Sequence, residues 1–284
     1  MAQITNQATL SYNGIVVSSN VATGEIVEVL EATKTAVPAT YGPGDTVVYI
    51  VSLVNSGATP VTGVTVTDDL GGYEFDTSTL YPLTYVDGSA ILLENGVLQS
   101  APTVTPGPPM VISGLTVPAE GSVTIVYATK VTSFAPLGTG GAIENTATVD
   151  GTGISAFTAS GTATASGEPD LTITKSISPS IVKESGSLTY TFLIQNYGAG
   201  AATAADNVKV TDTLDPVLTS LSASLDGAPL TLATDYTYSE TTGVFETVEG
   251  VITIPAATFS QDAESGAWVT APGEVTLTIT GSVA

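Results

Sequence analysis

Val64-Thr-Val66-Thr-Asp68-Asp-Leu70 returns later in the chain as Val208-Lys-Val210-Thr-Asp212-Thr-Leu214. In both copies apolar residues alternate with polar ones, the period of a strand with one buried face. A second pair flanks it: Lys34-Thr-Ala-Val-Pro38 and Lys175-Ser-Ile-Ser-Pro179. Lys34 and Lys175 are 141 residues apart, and the same spacing separates Tyr49 from Tyr190 and Asn55 from Asn196. Asp68 and Asp212 are 144 apart, which places a three-residue insertion after Gly198. The chain of 284 residues is therefore a tandem repeat, and each copy is large enough to bury a core. Short runs of Val, Thr and Ser punctuated by Gly, Pro and Asn-Gly predict an all-β fold, with each repeat a β-sandwich. No segment carries a sustained helical period.

The two copies do not end alike. The first closes with Ile143-Glu-Asn145-Thr-Ala147-Thr-Val149. The second ends in Glu274-Val-Thr-Leu-Thr-Ile-Thr280 and Ala284, with no closing segment. The nearest match to that segment is Ile4-Thr-Asn6-Gln-Ala8-Thr-Leu10, at the start of the chain. Residues 3–12 and 15–22 read as strands around Asn13-Gly14, a hairpin-turn signal. Residues 143–149 and 154–165 read the same way around Asp150-Gly-Thr-Gly153. The expected organisation is an N-terminal hairpin at 1–24, a first domain at 25–166, and a second domain at 167–284 that lacks its closing strand. An open sandwich exposes core and a bare edge. The expected partner is a second copy of the chain, whose Ile4, Asn6, Ala8 and Leu10 complete the open domain as a donor strand. Packing of the N-terminal hairpin on its own first domain is the alternative.

Strand alternation also assigns faces. Leu30, Ala32 and Lys34 share the apolar face of one strand, and Leu171, Ile173 and Lys175 that of its repeat. Asp68 follows Val64 and Val66 inward, and Asp212 follows Val208 and Val210. Asn145 lies between Ile143 and Ala147, and Asn6 between Ile4 and Ala8. Buried Lys, Asp and Asn are each costly alone. Together they fit the formation of an isopeptide bond. A desolvated lysine is neutral and nucleophilic, and a carboxyl in its acid form can hydrogen-bond the Asn carbonyl and pass protons. The intramolecular set is Lys34, Asn145 and Asp68, and the intermolecular set is Asn6, Lys175 and Asp212. A buried ion pair with a hydrogen-bonded Asn and no new bond is the other reading. Only five lysines occur, and the remaining ones, Lys130, Lys183 and Lys209, read as surface charges.

Composition narrows the function. Five basic residues face 27 acidic ones, with no His, and the net charge is −22. That excludes nucleic acid and anionic membrane surfaces as natural partners. There is no Cys, so no disulfide staples the fold. No segment is long and apolar enough to insert in a membrane. The N-terminal residues lack a basic region and an apolar core, so they are no secretory signal. Either a leader has been removed or the protein reaches its site without general secretion, as by release from a lysing mother cell onto a spore. An enzyme is not expected: His, Cys and Arg are missing, and no nucleophile elbow occurs. Asp68-Asp69 is the one paired carboxylate on a strand, with one member facing inward and the other outward. A calcium site is possible on so acidic a surface, but no Asp-x-Asp-x-Asp loop occurs. No cofactor and no metal are called for. Trp268 and the tyrosines are scattered, as core filling would scatter them.

The run Leu171-Thr-Ile-Thr-Lys175-Ser-Ile-Ser-Pro179, the strand Leu188-Thr-Tyr190-Thr-Phe192, Asn196-Tyr-Gly198 and Val210-Thr-Asp212-Thr-Leu214 resemble a bacterial surface repeat. It is the "conserved repeat" family, domain of unknown function eleven. Its pattern is Lys-x-x-x-Pro, Asn-x-Gly, Val-Thr-Asp-Thr-Leu-Pro and Asn-Thr-Ala-Thr-Val. The first repeat carries all four, with Asp69 at a position that is often Thr. The second carries the first three. The resemblance implies two tandem Ig-like β-sandwich domains, extracellular stalks or fibres, internal Lys–Asn cross-links and no enzymatic turnover. A spore-surface appendage suits the missing signal. The expected function is a head-to-tail filament subunit, and the alternative is a monomeric stalk or adhesin fragment.

Overall fold

The computed structural model describes residues 2–26 and 29–283, and side chains of 5–24 and 29–283. The described residues are all-β except for one 3-10 turn at Ala204–Asp206. The first sandwich stacks two sheets. One contains Ile91–Glu94, Gly121–Val131, Thr46–Asn55 and Leu30–Val37 in that order. The other contains Met110–Val117, Val61–Asp68, Ala142–Asp150 and Phe157–Ala165. The last two strands form the closing hairpin, in an unbroken antiparallel register from Ala142↔Thr164 to Val149↔Phe157. Alternate residues of every central strand point inward, and Tyr49, Val51, Leu53, Val64, Val66, Ile125, Ile143 and Val149 are fully enclosed between the sheets.

The second sandwich repeats the first sheet. Leu171–Ser178, Ser187–Asn196, Gly273–Val283 and Leu218–Leu225 are adjacent in that order. Lys34 lies opposite Val51 and Lys175 opposite Phe192, the same register 141 residues on. The facing sheet is reduced to Thr211–Thr213, Val244–Thr247 and Tyr236–Tyr238. Among the described residues, no strand occupies the place that the closing hairpin holds in the first sandwich.

The consequence falls on one strand. In the first sandwich Phe157–Ala165 packs over Leu30–Val37, whose pattern alternates buried and exposed. In the second, every residue of Leu171–Ser178 is exposed. The inward phase of Leu171, Ile173 and Lys175 is kept, but burial is not, because nothing covers that face. Ile173 is 52% exposed and the nearby Ile181 86%.

The N-terminal residues form a ribbon of their own. Ala2–Asn6 pairs with Ala22–Ile26, and Thr9–Tyr12 with Ile15–Ser18. The two long strands read from sequence are each interrupted, at residues 7–8 and 19–21. Ser19 joins the halves, with its N–H on the Ala8 carbonyl at 2.8 Å and its hydroxyl oxygen accepting from the Ala8 N–H at 3.0 Å. Asn13 and Gly14 both have positive φ, which the tight turn requires. Among the described residues, the ribbon pairs with neither sandwich. Leu10, Tyr12, Ile15 and Val17 share one face of it and are each half exposed or more.

Trp268 does not fill a core. It lies in a hairpin, Thr258–Gln261 with Trp268–Ala271, that reaches from the second sandwich to the first. The Trp268 backbone N–H donates to the Ser133 carbonyl at 2.8 Å, and Gln261 Nε2 donates to the Tyr73 hydroxyl at 2.9 Å.

Candidate functional site

Lys34, Asp68 and Asn145 come from three strands and meet in the first sandwich. Lys34 Nζ is 2.7 Å from Asp68 Oδ2, with no exposed surface on either side chain. Asp68 lies opposite Ala147, so Asn145, two residues along, shares its face. Asn145 lies opposite Gly161. Gly161 in turn backs onto Lys34: a Cβ there would lie 3.2 Å from both Lys34 Cγ and the Lys34 carbonyl oxygen. Glycine lets the second arm of the closing hairpin lie this close to the lysine stem without a shift of either strand.

Asp68 is saturated. Its Oδ1 accepts from the Leu70 N–H at 2.9 Å, and its Oδ2 accepts from both Lys34 and the Tyr127 hydroxyl. Asp69, the neighbour, is half-buried and accepts from the Gly71 and Thr146 N–H groups. Of the pair, one member thus faces fully inward and the other ties down the closing strand.

Asn145 is the anomaly. It is fully buried, yet neither its amide oxygen nor its amide nitrogen makes a well-formed hydrogen bond. The hydroxyls of Tyr49 and Tyr127 lie within reach of it as weak partners, and the Tyr49 hydroxyl makes no well-formed bond of its own. Two other buried asparagines show the usual arrangement. Asn55 Nδ2 donates to the Thr59 and Pro118 carbonyls, and its Oδ1 accepts from the Gly57 N–H. Asn196 Nδ2 donates to the Gly200 and Pro255 carbonyls, and its Oδ1 accepts from the Gly198 and Asp170 N–H groups. That explains Asn-x-Gly in both repeats as a structural loop clamp. Leaving a buried amide unpaired costs about 1–3 kcal/mol, which makes Asn145 the exposed nerve of this core.

Burial holds the Lys34 amine below the usual lysine range, although the Asp68 carboxylate pulls the other way. The same burial pushes the Tyr49 and Tyr127 phenols up, so both stay protonated. The site therefore holds a lysine biased toward its neutral form, a carboxyl hydrogen-bonded to it, and a poorly paired amide.

In the second sandwich, Lys175 and Asp212 come together at 2.5 Å, but their side chains are 39% and 18% exposed. Lys175 sits over the Tyr190 ring at 4.4 Å and the Phe192 ring at 5.3 Å, as Lys34 sits over Tyr49 at 4.9 Å. One difference is chemical. Tyr127 lies opposite Tyr49, whereas Ile279 lies opposite Tyr190, so no equivalent hydroxyl serves Asp212. Asn6 is not at this site. It lies on the ribbon opposite Ala22, with Ala8 and Leu10 exposed along the same arm, and the side chain of Ile4 is outside the described residues. Of the other lysines, Lys209 pairs with Glu246 at the surface, and Lys130 and Lys183 are exposed.

The sequence did not single out Tyr127 or Gly161. Tyr49 and Tyr190 were visible as repeat markers, but their place beside the lysines depends on strand pairing. Among the described residues, no group of three or more acidic, His or Cys side chains is arranged to hold a metal ion. No helix is long and apolar enough to cross a membrane, again among the described residues.

No protein-family model matches the chain, and no curated protein matches it. Solved structures resemble it in part. The C-terminal domain of the AgI/II polypeptide BspA of Streptococcus agalactiae is 14% identical over 89% of this chain and 92% of that one, with a TM-score of 0.39. The pilus backbone RrgB of Streptococcus pneumoniae is 12% identical over 86% of this chain and 55% of that one, at 0.34. BcpA, the major pilin subunit of Bacillus cereus, is 14% identical over 96% of this chain and 73% of that one, at 0.36. At these scores nothing about the function of this chain follows from the likeness.

Proposed function

We propose that this chain is the structural subunit of an extracellular bacterial filament, joined head to tail. The first arm of the N-terminal ribbon enters the second sandwich of the next subunit. It takes the place that Ala142–Asp150 holds in the first sandwich. One observation carries this reading: the same strand is covered by a closing hairpin in one repeat and wholly exposed in the other. Supporting it, the free ribbon pairs Leu10 with Val17, as the closing hairpin pairs Val149 with Phe157. Both ribbon residues are exposed, whereas Val149 is fully enclosed. Leu171, Ile173 and Ile177 are already half-buried, so covering them would contribute about 1 kcal/mol each.

Each site forms an amide cross-link once. In the first sandwich, Lys34 Nζ in its neutral form attacks Asn145 Cγ. The new C–N bond forms, the Cγ–Nδ2 bond breaks, and one lysine proton passes through Asp68 to the departing nitrogen, which leaves as ammonia. No oxidant and no cofactor enter the balance, and there is no turnover. At the junction, Lys175 attacks Asn6 with Asp212 in the same role. The acidic surface, with net charge −22, keeps such a protein soluble outside a cell or spore.

Deleting residues 1–22 tests the assembly. The truncated chain is expected to keep its first sandwich, including the ammonia loss from Lys34 and Asn145, and to remain monomeric in negative-stain micrographs. Fibres of normal length from the truncated chain would overturn the donor reading. Monomers from the full chain as well would leave the stalk or adhesin reading standing.

A further inference from the structure

Gly161 is what allows Lys34 to be roofed, and the N-terminal ribbon carries a counterpart. Ala159-Ser-Gly161-Thr on the second arm of the closing hairpin matches Ala22-Thr-Gly24-Glu on the second arm of the ribbon. We infer that the second arm of the ribbon also docks on the neighbouring subunit, with Gly24 laid against the stem of Lys175. Gly24 is then the specificity-determining residue of the junction. This rests on the donor reading above and extends it from one strand to the whole hairpin.

Three observations support it. First, in the first sandwich the strand lying over Leu30–Val37 is the second arm, Phe157–Ala165, and not the strand bearing Asn145. A donor consisting only of residues 3–12 would bring Asn6 but leave Lys175 unroofed. Lys175 is 39% exposed where Lys34 is enclosed, and desolvation is what favours a neutral amine. Second, the contact at Gly161 is with the backbone of Lys34 as well as its side chain, so a larger residue cannot be met by moving a flexible chain end. Third, Gly24 is exposed on the free ribbon, and the middle of a strand disfavours glycine.

The free ribbon sits one step away from the docked pairing. It pairs Asn6 with Ala22 and Ile4 with Gly24, whereas the closing hairpin pairs Asn145 with Gly161. A two-residue slide of the second arm keeps every side chain on its face and brings Gly24 opposite Asn6. The interruption at residues 7–8 and 19–21 is where the ribbon can take up that slide, as a bulge does.

The test compares Gly24→Val with Thr23→Val, its neighbour on the opposite face, in the full chain. Valine suits an exposed strand, so both monomers should fold, with the ammonia loss of the first sandwich intact in each. Detergent-boiled samples are then run on a gel. Gly24→Val should lower the yield of covalent junctions by about tenfold or more, and Thr23→Val should leave the wild-type ladder. Equal ladders from Gly24→Val and wild type would overturn the inference while leaving single-strand donation intact. Equal losses from both variants would overturn it too, because the effect would not be specific to the face. Absence of any covalent junction in the wild type, with fibres still seen by negative stain, would overturn the inference together with the Asn6–Lys175 bond while leaving reversible donor pairing standing.

Discussion

Lys34 Nζ and Asp68 Oδ2 are 2.7 Å apart in a space that water does not reach. A buried ion pair of this kind is poor evidence for stability, since desolvation offsets most of the attraction. Two tyrosines and a poorly paired amide complete the enclosure. In a purely structural core these polar groups would be paired, as Asn55 and Asn196 are. The cross-link proposed above would relieve that mismatch.

The folded full chain should weigh less than its sequence by one ammonia for the Lys34–Asn145 bond. Asn145→Ala should abolish that loss and still fold. Lys34→Ala should abolish it too, but at a cost of about 3–5 kcal/mol, because it leaves Asp68 buried without its partner. Intact-mass spectrometry decides the matter, and an unmodified mass in folded wild-type protein would sink the cross-link.

Acid should slow the reaction. Burial places the Lys34 amine below the usual lysine range, so its neutral form is populated at lower pH than that of a free lysine. Below that lowered value the amine is protonated and cannot attack. Refolding in buffers of decreasing pH, followed by mass, should show progressively slower ammonia loss once the fold has formed. The Asn145→Ala protein should show the linked effect on stability. The unfolded chain binds the lysine proton more tightly than the native one, so stability rises with pH between the lowered native value and about 10.4. A chemical-denaturation midpoint that falls over that window would contradict the direction of the shift.

The loop-clamp asparagines should behave quite differently from Asn145. Asn55→Ala orphans the carbonyls of Thr59 and Pro118 and the Gly57 N–H. The expected loss is about 2 kcal/mol or more, seen as a lower melting temperature with the cross-link mass unchanged. If Asn55→Ala instead removed the ammonia loss, the assignment of roles among the asparagines would be wrong.

The junction should be covalent. Wild-type fibres boiled in detergent are expected to run as a ladder, and Asn6→Ala fibres as monomer. Strand insertion rests on backbone hydrogen bonds and apolar burial and is reversible. Collapse of the wild type to monomer would leave donor pairing without the Asn6–Lys175 bond.

Much of this was legible in the chain itself. Alternation is a local property, so the strands, the repeat spacing and the inward phase of Lys34, Asp68, Asn145, Lys175 and Asp212 could be read without coordinates. The two-fold presence of Lys and Asp beside a single closing Asn was also visible. Burial was not, because it depends on what lies across from a face. Lys34 and Lys175 have the same phase and the same register, yet one is enclosed and the other open, and only the placement of Phe157–Ala165 decides which. Tyr127 and Gly161 likewise gained their roles from pairings many residues distant. The sequence by itself determined the period, the faces and the candidate residues. The tertiary structure decided which of those residues share a dry space, since desolvation is set by neighbours in space and not by neighbours along the chain.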